Sequence, residues 1–499
     1  MDEAARLRAQ ALERQAAGRF EEAYGLLRRR AMLAPKDPEA WADIARCLAA
    51  AGMPGDALKA WDAALAVAPG AAALLRGKAS LLQVLGRTWE ARELLARAPD
   101  SVEAVFDRAR MALEGGDWDG AARLAAKLEA QDGGGAELEW LAIRIELGRG
   151  ELEAAEARAG RLASASALGD EQRADVLLLR AEALDRLGRP AEAFEEAAAG
   201  KALQRRLFAE RAHAGEGAVS RLQRLASWFE GANFTDWAAR PVASGPGEPR
   251  VHAFILGFPR SGTTLLEQAL AGHPEVVALE EPPTMAAPAS EFLGSAEGLR
   301  RLAGLPEEEI APWRARYFAE VRALGADAAG KVLVDKAPAE TASLPLIARL
   351  FPEARILFPI RDPRDVTLSC FTSSFRMNAL TYAFTDLAET AAAYDATMRL
   401  ADACRRVLPL QLMEVRHEAL VQDLDASLAR VAEFLGLEMH PAMADIATTA
   451  RRRNVRTPSA AQLRGGLTTT RLGRWSAYAK ALGPVLPVLE PWVRRFGYA

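Results

Sequence analysis

The residues best placed to do chemistry lie in one glycine-bracketed turn. Gly257, Phe258, Pro259, Arg260, Ser261 and Gly262 follow the apolar run 253–256 and precede a helical pattern over 263–271. Backbone N–H groups at a helix start lack partners and carry partial positive charge, so strand, loop and helix together make a seat for an anion such as a phosphate. Gly257 and Gly262 stand where a side chain would hold the backbone off that ligand, and Thr263 and Thr264 add hydroxyl donors. The pattern is G-x-x-x-x-G-T-T. A nucleoside-triphosphate loop has lysine at the position of Thr263, and its absence argues against ordinary ATP or GTP hydrolysis.

Further apolar or β-branched runs, 331–334, 355–360 and 408–415, alternate with helical patterns. Such alternation predicts a parallel α/β sheet with ligands at the carboxyl ends of its strands. Three of those ends carry polar groups: Arg260-Ser261, Asp335-Lys336, and the run Arg361-Asp362-Pro363-Arg364-Asp365. Arg361 and Arg364 have two readings, as anion ligands or as helix-end charges paired with Asp362 and Asp365.

The run FPRSGTTLLEQAL with HPEVVALEE resembles the 5′-phosphosulfate loop and following segment of sulfotransferases that use 3′-phosphoadenosine 5′-phosphosulfate (PAPS), especially the protein-tyrosine sulfotransferase branch. ARLFPEARILFPIRDPRDVTLSCF resembles that family's 3′-phosphate segment. The resemblance implies that Arg260, Ser261, Gly262, Thr263 and Thr264 cradle the 5′-phosphosulfate, and that Arg361 and Ser369 hold the 3′-phosphate. It makes Glu280, seven residues after His273, the catalytic base, with the adjacent Glu281 left as the other candidate. Lys336, in VLVDKAP, then sits beside the bridging oxygen, where negative charge collects on the departing phosphate, and Arg260 shares that task. Ser459 and Gln462, sixteen and thirteen residues before Trp475, match the spacing of the family's late nucleotide segment. Ser459 is expected to donate to the phosphosulfate, with Thr457 as the near alternative. Arg464 is expected to reach the nucleotide, although the family's basic residue falls where this chain has Gly465. Arg451 to Arg453 read as a solvated run, and His273 as a local cap. Beyond the glutamates the likeness breaks: the tyrosine-sulfating branch has arginines that read acidic peptides, where this chain has Pro282, Pro283, Thr284, Met285, Ala286, Ala287 and Pro288.

These residues follow an internal repeat. Gly18 and Ala23, Gly52 and Ala57, Gly86 and Ala91, Gly116 and Ala121, Gly150 and Ala155, Gly188 and Ala193 are each five apart, and the pairs recur at 34, 34, 30, 34 and 38 residues. That period is the tetratricopeptide one, in which glycine ends a first helix and alanine lets the second pack close. Residues 1–205 are therefore expected to form an α-helical tetratricopeptide solenoid of about six helix pairs, 206–249 a connecting helix and turn-rich linker, and 250–499 the α/β P-loop-like domain. The layout as a whole resembles the bacterial tetratricopeptide-repeat sulfotransferases. A repeat groove usually binds a peptide or protein, here one that could also be the acceptor.

Composition bounds the rest. The chain has 499 residues, 50% hydrophobic and 26% charged, with a formal net charge of −4, so nothing global calls for nucleic acid. Only Cys47, Cys370 and Cys404 occur, far apart, which suits a reducing compartment; no signal peptide or membrane span is legible, and the expected location is cytoplasmic. No clustering of His, Cys and carboxylates calls for a metal. The expected reaction is transfer of a sulfuryl group from PAPS to an acceptor hydroxyl. Protein or peptide tyrosine, polysaccharide and small molecule all remain open as acceptors. The competing readings are a P-loop kinase, with Asp335 as its magnesium carboxylate, and a non-catalytic repeat scaffold.

Overall fold

A computed structural model describes residues 3–131, 135–212, 216–233, 237, 245, 247–453, 469 and 471–498. The chain divides into two compact units, residues 1–141 with 321–326, and residues 142–320 with 327–499. The first holds α1 (Glu3–Ala16), α2 (Phe20–Leu33), α3 (Pro38–Ala50), α4 (Pro54–Val67), α5 (Ala72–Val84), α6 (Thr88–Ala96), α7 (Val102–Gly115) and α8 (Trp118–Ala130). Helix α9 (Ala136–Arg149) crosses the division; α10 (Leu152–Ala163), α11 (Asp170–Arg186), α12 (Pro190–Ala212) and α13 (Ala218–Glu230) belong to the second unit.

The repeat has a direct physical cause. Gly18, Gly52, Gly86, Gly116, Gly150 and Gly188 all adopt left-handed φ between 72° and 81°. At each, the next residue's N–H bonds five residues back, as in Arg19 to Arg14, Met53 to Leu48 and Asp117 to Ala112. These six-residue closures satisfy the last carbonyls of the first helix and aim the chain into the second. Any residue with a β-carbon there costs about 1–2 kcal/mol. The paired alanines, Ala23, Ala57, Ala91, Ala121, Ala155 and Ala193, are at most 2% exposed. A larger side chain at these sites would overpack the helix pair by about 1–3 kcal/mol.

In the second unit, β1 (Val251–Ile255) leads through the glycine turn into α14 (Thr263–Ala271), then β2 (Val276–Glu280). After α15 (Glu307–Ala323), which crosses the division at its last residues, come β3 (Val332–Lys336), β4 (Arg355–Ile360), α16 (Pro363–Thr372), α17 (Leu387–Val407), β5 (Gln411–Arg416), α18 (Leu424–Leu435) and α19 (Ile446–Arg453). The strands form one sheet in the order β2-β3-β1-β4-β5, with every pairing parallel. Strand β2 was not anticipated: its five residues lie inside the run read as the segment after the loop. Strand β3 also extends to Lys336, so Asp335 and Lys336 lie within the strand rather than after it. One sheet face is covered by Leu265, Leu266, Ala269 and Leu270 of α14 and Leu428, Val431, Ala432 and Leu435 of α18, packed on Ala253, Ile255, Val332, Val334 and Leu357. Each fully buried leucine contributes about 2 kcal/mol, enough to fix α14 and hence the loop before it. Among the described residues, no helix is long and apolar enough to cross a membrane.

Candidate active site

The loop geometry comes first, because it decides what can approach. Gly262 caps α14 with φ 100° and has no side chain to offer the helix's first N–H groups. A β-carbon on Gly262 would collide with the His417 ring, and one on Gly257 (φ 136°) would lie 3.1 Å from the Pro359 carbonyl oxygen. The glycines are therefore required by neighbours as well as by conformation. Among the described residues, Arg260 is one of two non-glycine residues with positive φ, at 70°; the other is Glu281 at 52°. Strain at these two positions marks the places where the fold holds a side chain against its local preference. Ser261 Oγ donates to the Phe258 carbonyl (2.7 Å), closing the turn, and Thr263 and Thr264 are buried at the helix start.

Two polar clusters meet this loop at the carboxyl edge of the sheet. The first surrounds Lys336. Strand register sets Lys336 beside Ile255 of β1 on one side and Glu280 of β2 on the other. Its side chain is wholly buried; Nζ donates to Glu281 Oε1 at 2.7 Å and lies 3.5 Å from Glu267 Oε2 and 3.9 Å from Glu280 Oε1. Burial alone would favour the neutral amine, but the carboxylates of Glu267, Glu281 and Glu280 outweigh it and hold the ammonium above the ordinary lysine range. Burial raises the Glu280 carboxyl above its ordinary value; Glu267 and Glu281 push the same way, and Lys336 and Arg453 oppose them. Glu280 keeps 16% of its side chain exposed, against 47% for Glu281. Glu281 is thus the lysine's direct partner, and Glu280 the carboxylate whose proton affinity is tuned.

The second cluster is a pocket lined by Arg260, Arg361, Asp365, Ser369, Arg471 and Arg474. Arg260 reaches into it from the loop, its Nε donating to Ser369 Oγ at 2.9 Å. Burial, with Arg471, Arg361 and Arg474 nearby, pushes the Arg260 guanidinium down to about 10, still charged at neutral pH. Arg361 Nη2 donates to the Arg471 carbonyl (2.7 Å) and to Asp365 Oδ2 (3.3 Å), while its buried Nε has no protein acceptor among the described residues. So the structure brings Arg260, Arg361 and Ser369 together, and Arg361 also keeps the helix-end pairing with Asp365. Arg364 follows the other reading: it bonds Asp362 through Nε (2.9 Å) and Nη2 (2.7 Å) and lies over the Trp475 ring at 3.9 Å.

Several residues of the site were not legible beforehand. Glu267, fully buried on α14, binds Arg453 Nη1 at 2.8 Å, and Arg453 Nη2 donates to the Ala278 carbonyl at 2.7 Å. Arg453 is therefore not part of a solvated run: it is the counter-ion of the helix that carries the loop. Thr263 and Glu267 are four apart and share a helix face, the one signal that could have found Glu267. Arg471, Arg474 and His417 also close on the loop, and burial together with Arg361 and Arg260 keeps the His417 imidazole neutral, pushed down to about 3. His273 caps locally, its Nδ1 accepting from the Glu275 N–H (3.1 Å) with Nε2 facing the Glu438 carbonyl. Asp335 is buried in β3. It accepts from Tyr317 Oη (2.7 Å) and Thr284 Oγ1 (2.8 Å), and burial pushes it up to about 6 against the pull of those two hydrogen bonds. Thr457, Ser459, Gln462, Arg464 and Gly465 lie outside the described residues.

Comparison with known proteins agrees with this geometry. Residues 253–441 match the family model described as "Sulfotransferase family". Protein-tyrosine sulfotransferase A of Caenorhabditis elegans is 30% identical over 204 residues, 39% of this chain and 53% of that protein. Protein-tyrosine sulfotransferase 1 of Mus musculus is 35% identical over 116 residues, 22% of this chain and 31% of that protein. An uncharacterized protein of Aquifex aeolicus (strain VF5) is 27% identical over 245 residues, 48% of this chain and 32% of that one. The chain thus spans about half or less of the length of these relatives. Among solved structures, the sulfotransferase domain from the Synechococcus PCC 7002 olefin synthase aligns with TM-score 0.32 and 24% identity, over 51% of this chain and 98% of that one. The family match encloses the loop, both glutamates, Lys336, Arg361 and Ser369, so helix-pair repeats precede a segment similar to the sulfotransferase family.

Proposed function

We propose that the protein transfers a sulfuryl group from PAPS to an acceptor hydroxyl. The observation that carries this reading is Arg260: it belongs to a glycine loop at a helix start suited to one anion, and its guanidinium bonds Ser369 within a separate cluster of arginines whose charge favours a second. A nucleotide with anionic groups at both its 5′ and 3′ positions fits that pair of sites, whereas a triphosphate fills only the loop. The buried, unaccepted Nε of Arg361 and the close backbone approach at Gly257 and Gly262 fit the same ligand. When bound, PAPS supplies the activated sulfur.

The chain's own residues then divide the work. Loop N–H groups, Thr263, Thr264 and Arg260 hold the 5′ end; Arg361 and Ser369 hold the 3′-phosphate; Ser459 and Arg464 extend the grip. Glu280 takes the acceptor's proton, since its raised pKa makes it a better base than a solvated carboxylate while Lys336 and Arg453 limit the rise. Lys336, kept protonated by its three carboxylate neighbours, faces the charge that builds on the leaving oxygen. Glu280 and Glu281 are the partly exposed members of the cluster, and the acceptor is proposed to approach from their side.

For the acceptor we favour a protein or peptide hydroxyl, tyrosine included. The named C. elegans and mouse relatives are protein-tyrosine sulfotransferases, and helix-pair repeats offer a peptide-binding surface. Three buried free thiols suit a cytoplasmic setting. The experiment is incubation with sulfur-labelled PAPS and a cell extract, followed by protease or glycosidase digestion. Label released by protease is the expected result; label released only by glycosidase would replace the protein acceptor with a polysaccharide.

A further inference from the structure

The arginine pocket has a wall that the sulfotransferase segment does not hold alone. Arg471 and Arg474 come from the stretch 471–478, which is clamped from two sides. From α16, Asp365 accepts the backbone N–H groups of Gly473 (2.9 Å) and Trp475 (2.8 Å). From repeat helix α11, Asp185 Oδ1 accepts from Arg474 Nε at 2.9 Å, with Nη2 of the same ion pair also 2.9 Å away, and from Tyr478 Oη at 2.5 Å. Asp185 is the penultimate residue of α11, one turn from the carboxylate of Glu182, and both add negative charge near Arg471. The same helix pair is fastened to the chain just beyond Ser369: Lys201 of α12, fully buried, donates to the Ser373 carbonyl at 2.6 Å, and Ser374 Oγ donates to Asp175 at 3.2 Å.

We infer that Asp185 is a positioning residue for the donor nucleotide: by fixing the Arg474 guanidinium, the last helix pair of the repeat builds one wall of the 3′-phosphate pocket. The inference rests on the proposed donor site. Arginine is a long side chain whose anion binding depends on being held in one geometry, and a carboxylate that is both its hydrogen-bond acceptor and its ion-pair partner orients the remaining donors. An opposing effect exists, since Asp185 also subtracts from the positive potential of the pocket. Orientation and charge are separable by substitution.

The test is calorimetric titration of the full chain with 3′-phosphoadenosine 5′-phosphate and with adenosine 5′-phosphate, which lacks the 3′ group. Asp185→Ala is expected to weaken the 3′-phosphorylated ligand about tenfold, the loss of one well-placed charged contact, with adenosine 5′-phosphate unchanged. Asp185→Asn, which keeps an acceptor but not the charge, is expected to recover most of that loss. Arg474→Lys, which keeps the charge but not the fork, is expected to reproduce it, and serves equally if Asp185→Ala does not fold. Unchanged or tighter binding of the 3′-phosphorylated ligand by Asp185→Ala, or parallel weakening of both ligands, would overturn the positioning role. A parent protein that binds the two ligands alike would instead overturn the donor site itself, and Arg361→Ala, expected to erase the preference, marks that difference.

Discussion

Two charge clusters, one in each compact unit, share a plan and differ in outcome. In the first unit Asp43 on α3, with 5% of its side chain exposed, is met by Arg8 at 2.7 Å and by Arg30 and Arg46 at 2.5 Å. Each arginine bonds it directly, and Arg30 has a further partner in Asp37. In the second unit Lys336 is met by three carboxylates, but only Glu281 is within hydrogen-bond reach, and Glu267 Oε2 has no hydrogen-bond donor among the described residues. The repeat cluster is satisfied and holds helices together. The sheet-edge cluster crowds acids around one base and leaves bonding capacity over, an arrangement that raises Glu280 and suits a site awaiting a ligand.

The comparison breaks most sharply at Lys336. Lys336→Ala is expected to lower turnover about 100- to 1,000-fold through loss of charge stabilisation, while binding of 3′-phosphoadenosine 5′-phosphate stays within about threefold. An unchanged single-turnover rate would remove the leaving-group role. Next comes Glu280→Gln, expected to cost about 100-fold or more in kcat/KM and to change the pH profile. A base must be ionised, so the parent loses activity as pH falls through the raised Glu280 pKa, above the ordinary glutamate range; the variant's residual activity lacks that acid limb. The sign for stability is opposite. A carboxyl whose folded pKa is raised contributes stability at low pH and loses it as pH rises through that value, so Glu280→Gln melts no lower than the parent at neutral pH. Retention of the acid limb in Glu280→Gln would move the base to Glu281. In the other cluster, Asp43→Ala leaves Arg30 buried without its main partner and is expected to destabilise by about 3 kcal/mol in urea denaturation, with the turnover of folded molecules unaltered. A turnover defect there would erase the distinction between the clusters.

What the sequence could tell depended on how far apart the partners are along the chain. The glycine loop, the repeat and the existence of the strand before the second polar group are local patterns, although that strand runs on through Asp335 and Lys336. Strand β2 was missed because five residues in HPEVVALEE give too short a period to separate from a loop. Glu267 was not singled out; it is buried and its partner, Arg453, lies 186 residues away. Arg471 and Arg474 reach the pocket through Asp365 and Asp185, at separations of 108 to 289 residues, and no spacing rule spans such distances. Ser369 was assigned through family resemblance, Arg361 through resemblance and its place at a strand end, and both contact Arg260.

The central claim is that loop and arginine pocket together bind a nucleotide with a 3′-phosphate. Calorimetric titration of the purified protein with 3′-phosphoadenosine 5′-phosphate and, separately, with ATP and magnesium measures it directly. Tighter binding of the 3′-phosphorylated nucleotide, by tenfold or more for one additional charged pocket, is the predicted result. Preferential binding of ATP would contradict it.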